Sequence, residues 1–180
     1  GRLYYTAALN VVLPAGEAPA VDRGLSVSRS YGLESSTCGG DDQPLCPAVT
    51  EAQVGTTVRV TVNVSTSRER QFVVLEDLFP AGAEAIDTSL LTAPRVDEPL
   101  GLRLSEPDFW WGGWWFARQT VRDDRVRVVA DVLPAGSYSY SYLLYMQTDG
   151  IFQVRPAQAY TLYAPEVFGR STGEVFTITP

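Results

Sequence analysis

Hydrophobic and polar positions alternate along most of this chain, and the alternation predicts strands. The cleanest run is Thr57–Thr66, where Val58, Val60, Val62 and Val64 share one face and Thr57, Arg59, Thr61, Asn63 and Ser65 share the other. Period two with one apolar face belongs to a strand packed on a core on one side and wet on the other. The pattern recurs in the stretch from Arg122 to Gly173. Val126, Val128 and Ala130 fall on one face, against Arg125, Arg127 and Val129; then Tyr138, Tyr140 and Tyr142 alternate with Ser139, Ser141 and Leu143. Leu133-Pro134-Ala135-Gly136 separates these two runs, with Pro at the second turn position and Gly at the fourth. That turn chemistry predicts that the two runs form an antiparallel pair. Asp149-Gly150 then turns the chain into a third short strand, Ile151–Arg155.

The flanking segments extend the pattern. Leu3–Val12 is mostly apolar and reads as an opening strand, closed by Leu13-Pro14-Ala15-Gly16. Residues 14–23 are rich in Pro, Ala and Gly and read as a loop. Gly24–Tyr31 sets Leu25, Val27 and Tyr31 against Ser26, Ser28 and Ser30. Gln71–Leu78 is a further strand, stopped by Pro80-Ala81-Gly82. Residues 83–108 are irregular: Asp87–Leu91 has room for one helical turn, and Pro94, Pro99 and Pro107 forbid much else. Phe116–Val121 leads back into strand, Ala157–Tyr163 is ambiguous between a short helix and a loop, and Glu174–Thr179 closes the chain. About seven to nine strands with turn signals between them predict an all-β antiparallel β-sandwich of the immunoglobulin or fibronectin kind. Residues 1–180 are expected to form a single domain with one long irregular insertion and at most one short helix.

Charge narrows the function. The chain carries a net charge of −7, its 14 cationic residues are all Arg, and it has no His. A nucleic-acid surface needs a basic stripe to neutralise phosphates, and none is legible. Attraction to an anionic membrane is disfavoured for the same reason. No apolar span of about 20 residues is present for insertion. The chain begins at Gly1 without a leader pattern, which suggests a piece of a longer protein.

Candidate chemistry is sparse. Without His, a Ser–His or Cys–His nucleophile is excluded. Asp41-Asp42, Glu76-Asp77, Asp97-Glu98 and Asp123-Asp124 are adjacent carboxylates. Neighbours in a strand point to opposite faces, so Glu76-Asp77 makes no cleft pair. Asp123-Asp124-Arg125 reads as a tight turn. No metal or cofactor set is read. Cys38 and Cys46 flank a Gly/Asp/Pro-rich loop; a disulfide closing that loop, in an oxidising compartment, stands against two unpaired thiols in a cytosolic one. All four tryptophans fall in Phe109-Trp110-Trp111-Gly112-Gly113-Trp114-Trp115-Phe116. A Gly-Gly hairpin would show its side chains on both faces. Trp110, Trp111, Trp114, Trp115 and Phe116 therefore read as an interface hot spot, a plug folded into the core, or a glycan-stacking platform.

Several of these strings carry a family resemblance. Val74-Leu75-Glu76-Asp77-Leu78-Phe79-Pro80-Ala81-Gly82-Ala83-Glu84, Asp123-Asp124-Arg125-Val126, Leu133-Pro134-Ala135-Gly136, Gly150-Ile151-Phe152 and Tyr163-Ala164-Pro165-Glu166-Val167-Phe168-Gly169-Arg170-Ser171 occur in order. Together they resemble the C-terminal macroglobulin-like, receptor-binding-type domain of bacterial α2-macroglobulins. The resemblance implies a non-catalytic domain of a broad-range protease inhibitor of the periplasm or extracellular envelope. It implies two kinds of partner: the thioester domain of the same protein, against which this domain would pack, and the proteases that the whole protein traps. Glu166 and Arg170, in the tail motif, would either pin a loop against a neighbouring domain or form an internal ion pair. The thioester motif Cys-x-Glu-Gln is not in this chain: Cys38 is followed by Gly39-Gly40-Asp41 and Cys46 by Pro47-Ala48-Val49. Vertebrate members bind a clearance receptor through lysines on a helix, and a chain without Lys does not carry that role over. The alternative reading is an extracellular carbohydrate-binding or adhesion module that uses the Trp stretch.

Overall fold

The computed structural model describes residues 1–9, 11–34, 47–86, 102–104 as backbone, and 116–180. Among them the strands are, in chain order, β1 (Val21–Arg23), β2 (Ser26–Leu33), β3 (Glu51–Gln53), β4 (Thr57–Thr66), β5 (Arg70–Leu78), β6 (Ala83–Ala85) and β7 (Leu102–Leu104). There follow β8 (Arg118–Val121), β9 (Arg125–Leu133), β10 (Gly136–Met146), β11 (Gly150–Val154), β12 (Gln158–Thr161), β13 (Phe168–Arg170) and β14 (Glu174–Thr179). They build three sheets: β1-β13-β12-β5-β9-β8, then β2-β4-β10-β6 with β7 also on β10, and β11-β14-β3. Every pairing between named strands is antiparallel except β14 with β3. The all-β antiparallel class read from the alternation is the one the structure has, with more and shorter strands than expected.

The apolar faces meet in one core. In the second sheet Val60, Val62 and Val64 stand opposite Tyr142, Tyr140 and Tyr138. Tyr31 and Val27 face Val60 and Val64 from the other side. All eight of these side chains are buried. Cross-strand pairs of aromatic and β-branched residues are the stabilising unit of such a sheet. The first sheet adds Val73, Leu75, Val126, Val128 and Ala130, and the third adds Val154, Phe176 and Ile178.

Two expectations about pairing are corrected. The runs either side of Leu133-Pro134-Ala135-Gly136 are not a hairpin: β9 pairs with β5 and β8, while β10 pairs with β4, β6 and β7. The turn instead carries the chain from the first sheet to the second. Its neighbour, the connection from β4 to β5, makes the same crossing in reverse, because Arg70 pairs with Leu133 and Thr66 with Gly136. Side chains brace both crossings: Tyr138 OH donates to the Pro134 carbonyl at 2.8 Å, and Thr66 Oγ1 to that of Arg68 at 2.8 Å. The segment after Asp149-Gly150 is likewise in another sheet, where β11 pairs with β14.

Four local expectations also change. Leu3–Val12 is no strand at its described positions, where no partner strand adjoins it. Residues 14–23 are more ordered than a loop, holding a 3-10 turn at Ala15–Glu17 and then β1. Within Ala157–Tyr163, β12 forms: Ala157, Ala159 and Thr161 are buried in alternation and Gln158–Thr161 pair with β5. Residues 83–108, expected to be irregular, hold β6 and β7, both paired with β10; Asp87–Leu91 lies outside the described residues.

Candidate functional site

One cluster of charged groups lies inside the core. Arg29 sits on β2 in the register of Leu25, Val27 and Tyr31, so its guanidinium points inward with a fully buried side chain. Nη1 donates to Asp77 Oδ1 at 2.6 Å and to the Leu78 carbonyl at 3.2 Å, and Nε donates to Glu174 Oε2 at 3.2 Å. Asp77 Oδ2 accepts from Tyr142 OH at 2.8 Å. The Arg29 guanidinium also lies 5.3 Å from the Tyr31 ring centre. Arg29 and Tyr142 belong to the second sheet, Asp77 to the first and Glu174 to the third, so one cation ties three sheets together. Two carboxylates share it. Burial pushes the Asp77 and Glu174 carboxyls above the usual carboxylate range, and the Arg29 charge opposes that push. Burial works against the Arg29 charge as well, yet the Asp77 carboxylate holds its pKa above the ordinary value. Arg29 and Asp77 are enclosed while the Glu174 side chain stays 27% exposed, so the cluster clamps the sheets from within.

The outward-facing constellation is aromatic. Phe72 on β5 has φ of 53°, the one non-glycine residue described with a left-handed backbone, and it is 40% exposed. A left-handed residue with a side chain costs ~1–2 kcal/mol. Its carbonyl accepts from Leu162 N at 2.9 Å, and its ring meets Tyr163 edge-on at 5.1 Å and 89°. Tyr163 is 76% exposed and Leu162 50%. The turn beyond them is fixed by hydrogen bonds: Thr161 Oγ1 donates to Ala164 O at 2.6 Å and Val167 N to the same oxygen at 2.9 Å. The two rings are therefore held outward on a rigid frame. An open hollow of about 310 Å³ beside them is lined by Arg70, Phe72, Thr161, Tyr163 and Val167 among others.

The residues singled out from sequence fall in different places. Glu166 is exposed within the turn closed by Val167 N to Ala164 O. Arg170 is half-buried on β13 and its Nε donates to the Pro19 carbonyl at 3.0 Å; among the described residues it makes no ion pair with Glu166. Phe116 is half-buried against the core. Cys38, Cys46, Trp110, Trp111, Trp114 and Trp115 lie outside the described residues. Asp124 is bound by Arg125 at 2.7 Å in a turn closed by Arg122 N to Arg125 O at 2.8 Å. Sequence reasoning missed Arg29, Asp77 and Phe72. The first two left a signal, each being a charge in a register of buried apolar residues.

Comparison with known proteins follows the same outline. The family model described as Bacterial Alpha-2-macroglobulin MG10 domain matches residues 24–166. An α2-macroglobulin homolog of Nostoc sp. (strain PCC 7120) is 30% identical over 178 residues, covering 95% of this chain and 8% of that protein. Circularly permutated Ras protein 2 of Dictyostelium discoideum is 27% identical over 171 residues, covering 95% of this chain and 4% of that protein. This chain thus spans less than a tenth of either curated relative. In fold it is similar to trypsin-activated α2-macroglobulin from Escherichia coli, with a TM-score of 0.70 and 19% identity over 90% of this chain and 11% of that one. The chain belongs to the family of bacterial α2-macroglobulin MG10 domains.

Proposed function

We propose that this chain is a non-catalytic domain, at the C-terminal end, of a longer broad-range protease inhibitor of the bacterial cell envelope. In that protein the aromatic face around Phe72 and Tyr163 packs against the thioester-bearing domain and supports protease trapping. Family membership supports the setting. The observation that carries the docking face is Phe72: a strained backbone that leaves a phenyl ring outside the core and against an exposed tyrosine. Stability alone gives no reason for that arrangement, since glycine would adopt the same φ without strain. An aromatic pair on a rigid frame suits the centre of a protein–protein contact. Enzymatic action finds no support: the chain has no His, and the Arg29 and Asp77 side chains are buried.

The test is thiol release from the thioester of the full-length protein, with wild type compared against Phe72→Gly and Tyr163→Ala. Both variants should leave the melting temperature of the isolated domain within a few degrees, and both should speed spontaneous thiol release several-fold. Release at the wild-type rate from both variants would refute the docking face.

A further inference from the structure

Among the described residues, the chain's first segment gathers the most exposed large apolar side chains. Leu3, Tyr4, Tyr5, Leu9, Val11, Val12 and Leu13 are each between 49% and 96% exposed. Apolar exposure on this scale within one short segment marks an interaction site. The segment has strand chemistry: Leu3, Tyr5, Ala7, Leu9, Val11 and Leu13 occupy alternate positions, with Tyr4, Thr6, Ala8 and Val12 between them. It nevertheless pairs with no strand of the described residues, although the three sheets end at β1 and β8, β2 and β6, and β11 and β3.

Its departure point is fixed. Just downstream, Glu17 N donates to the Pro14 carbonyl at 3.0 Å, Gly16 N to Gln153 Oε1 at 2.8 Å, and Gly173 N to the Ala18 carbonyl at 2.7 Å. Gly173 packs so closely that a Cβ there would lie 1.6 Å from the Ala15 carbonyl oxygen. The domain holds the chain from Pro14 onward, while residues 1–9 and 11–13 are exposed. The family match also starts later, at residue 24, so the segment stands outside the domain that the match defines.

We infer that residues 3–13 are a β-strand belonging to a neighbouring domain of the same longer polypeptide. The strand adds to an open sheet edge there, and its Leu3/Tyr5/Leu9/Val11/Leu13 face fills that domain's core. Strand addition supplies what the segment lacks, hydrogen bonds for the backbone and burial for alternate side chains. A neighbour in the same polypeptide is favoured because the curated relatives extend far beyond the matched part, of which this chain covers 8% and 4%. The strand would then tie the two domains through the rigid Pro14–Glu17 turn.

Hydrogen–deuterium exchange of the peptide covering residues 3–13 tests this, measured in the full-length protein and in the 180-residue chain. The expected result is fast exchange in the chain and exchange slowed at least about a hundredfold in the full-length protein. Equal, fast exchange in both overturns the inference. So does slow exchange in the dilute chain, which would mean pairing with its own domain, or slow exchange only in a concentrated, dimeric chain, which would mean a second copy. Leu9→Asp should restore fast exchange in the full-length protein while Thr6→Ser does not; if Leu9→Asp fails to fold, the unmodified protein decides. None of these readings requires protease inhibition, so failure of the proposed function would leave the outcome legible.

Discussion

Replacing Asp77 by Asn removes one charge from the core while keeping the shape of the side chain. Arg29 would keep an oxygen as acceptor but lose the carboxylate 2.6 Å from its Nη1. A unit charge pair about 4 Å apart at an effective dielectric of ~20 is worth ~4 kcal/mol. Breaking one partner of a buried pair costs ~3–5 kcal/mol, because the other charge stays behind without compensation. Glu174 remains 3.1 Å from Nη2 and supplies part of the lost countercharge, and burial already works against the Asp77 charge, so the low end of that range applies. A loss of ~3 kcal/mol in a domain of this size lowers the melting temperature by roughly 6–12 °C. The assay is urea unfolding followed by tyrosine and tryptophan fluorescence, alongside calorimetry. The double replacement Arg29→Met with Asp77→Leu is the control: it leaves only Glu174, whose side chain is 27% exposed, without its cation, so it should be less damaged than Asp77→Asn. A loss under ~1 kcal/mol from Asp77→Asn would refute the clamp, because it would mean that Arg29 reaches water or another anion. A double variant as damaged as the single one would show that shape, not charge, matters at this site.

Other consequences follow from the same contacts. The Glu174 pKa is raised in the folded state, so its contribution to stability is fully present below its unfolded value near 4.5 and is lost as pH rises through the folded value. Glu174→Gln should therefore flatten the fall in stability as pH rises above about 4.5, measured by denaturation at stepped pH. Gly173→Ala places a Cβ 1.6 Å from the Ala15 carbonyl oxygen and should cost at least ~1–3 kcal/mol by thermal unfolding. Thiol titration of the unfolded, unreduced chain should find Cys38 and Cys46 bonded, a closure worth ~2–3 kcal/mol; two free thiols would contradict it.

Alternation carried most of the fold and little of its wiring. Thr57–Thr66 and Glu174–Thr179 fall on the strand bounds seen in the structure. The buried faces of β9 and β10 were also legible, because period two fixes which side chains meet the core. It does not fix which strand lies alongside. A strand turning back within its own sheet and a strand crossing to the facing sheet bury the same residues, so Leu133-Pro134-Ala135-Gly136 read as a hairpin when it is a crossing. Leu3–Val12 had a strand pattern and found no partner, since pattern specifies a face to be covered but not what covers it. The buried clamp was visible in principle: Arg29 and Asp77 are opposite charges, each placed where Val27 and Tyr31 or Val73 and Leu75 say the side chain points inward. The left-handed φ of Phe72 left no trace, as nothing in a phenylalanine between Gln71 and Val73 announces it.

The central claim is that the Phe72–Tyr163 face is covered in the full-length protein, and footprinting of Tyr163 tests it most directly. A small photoactivated carbene reagent should label Tyr163 readily in the isolated chain, where it is 76% exposed. In the uncleaved full-length protein the same residue should be labelled at most a tenth as much, with Tyr4 and Tyr5 giving an independent reading of the first segment. Labelling of Tyr163 at equal levels in both would contradict the account, because the strained aromatic pair would then face solvent in the very protein it is proposed to serve.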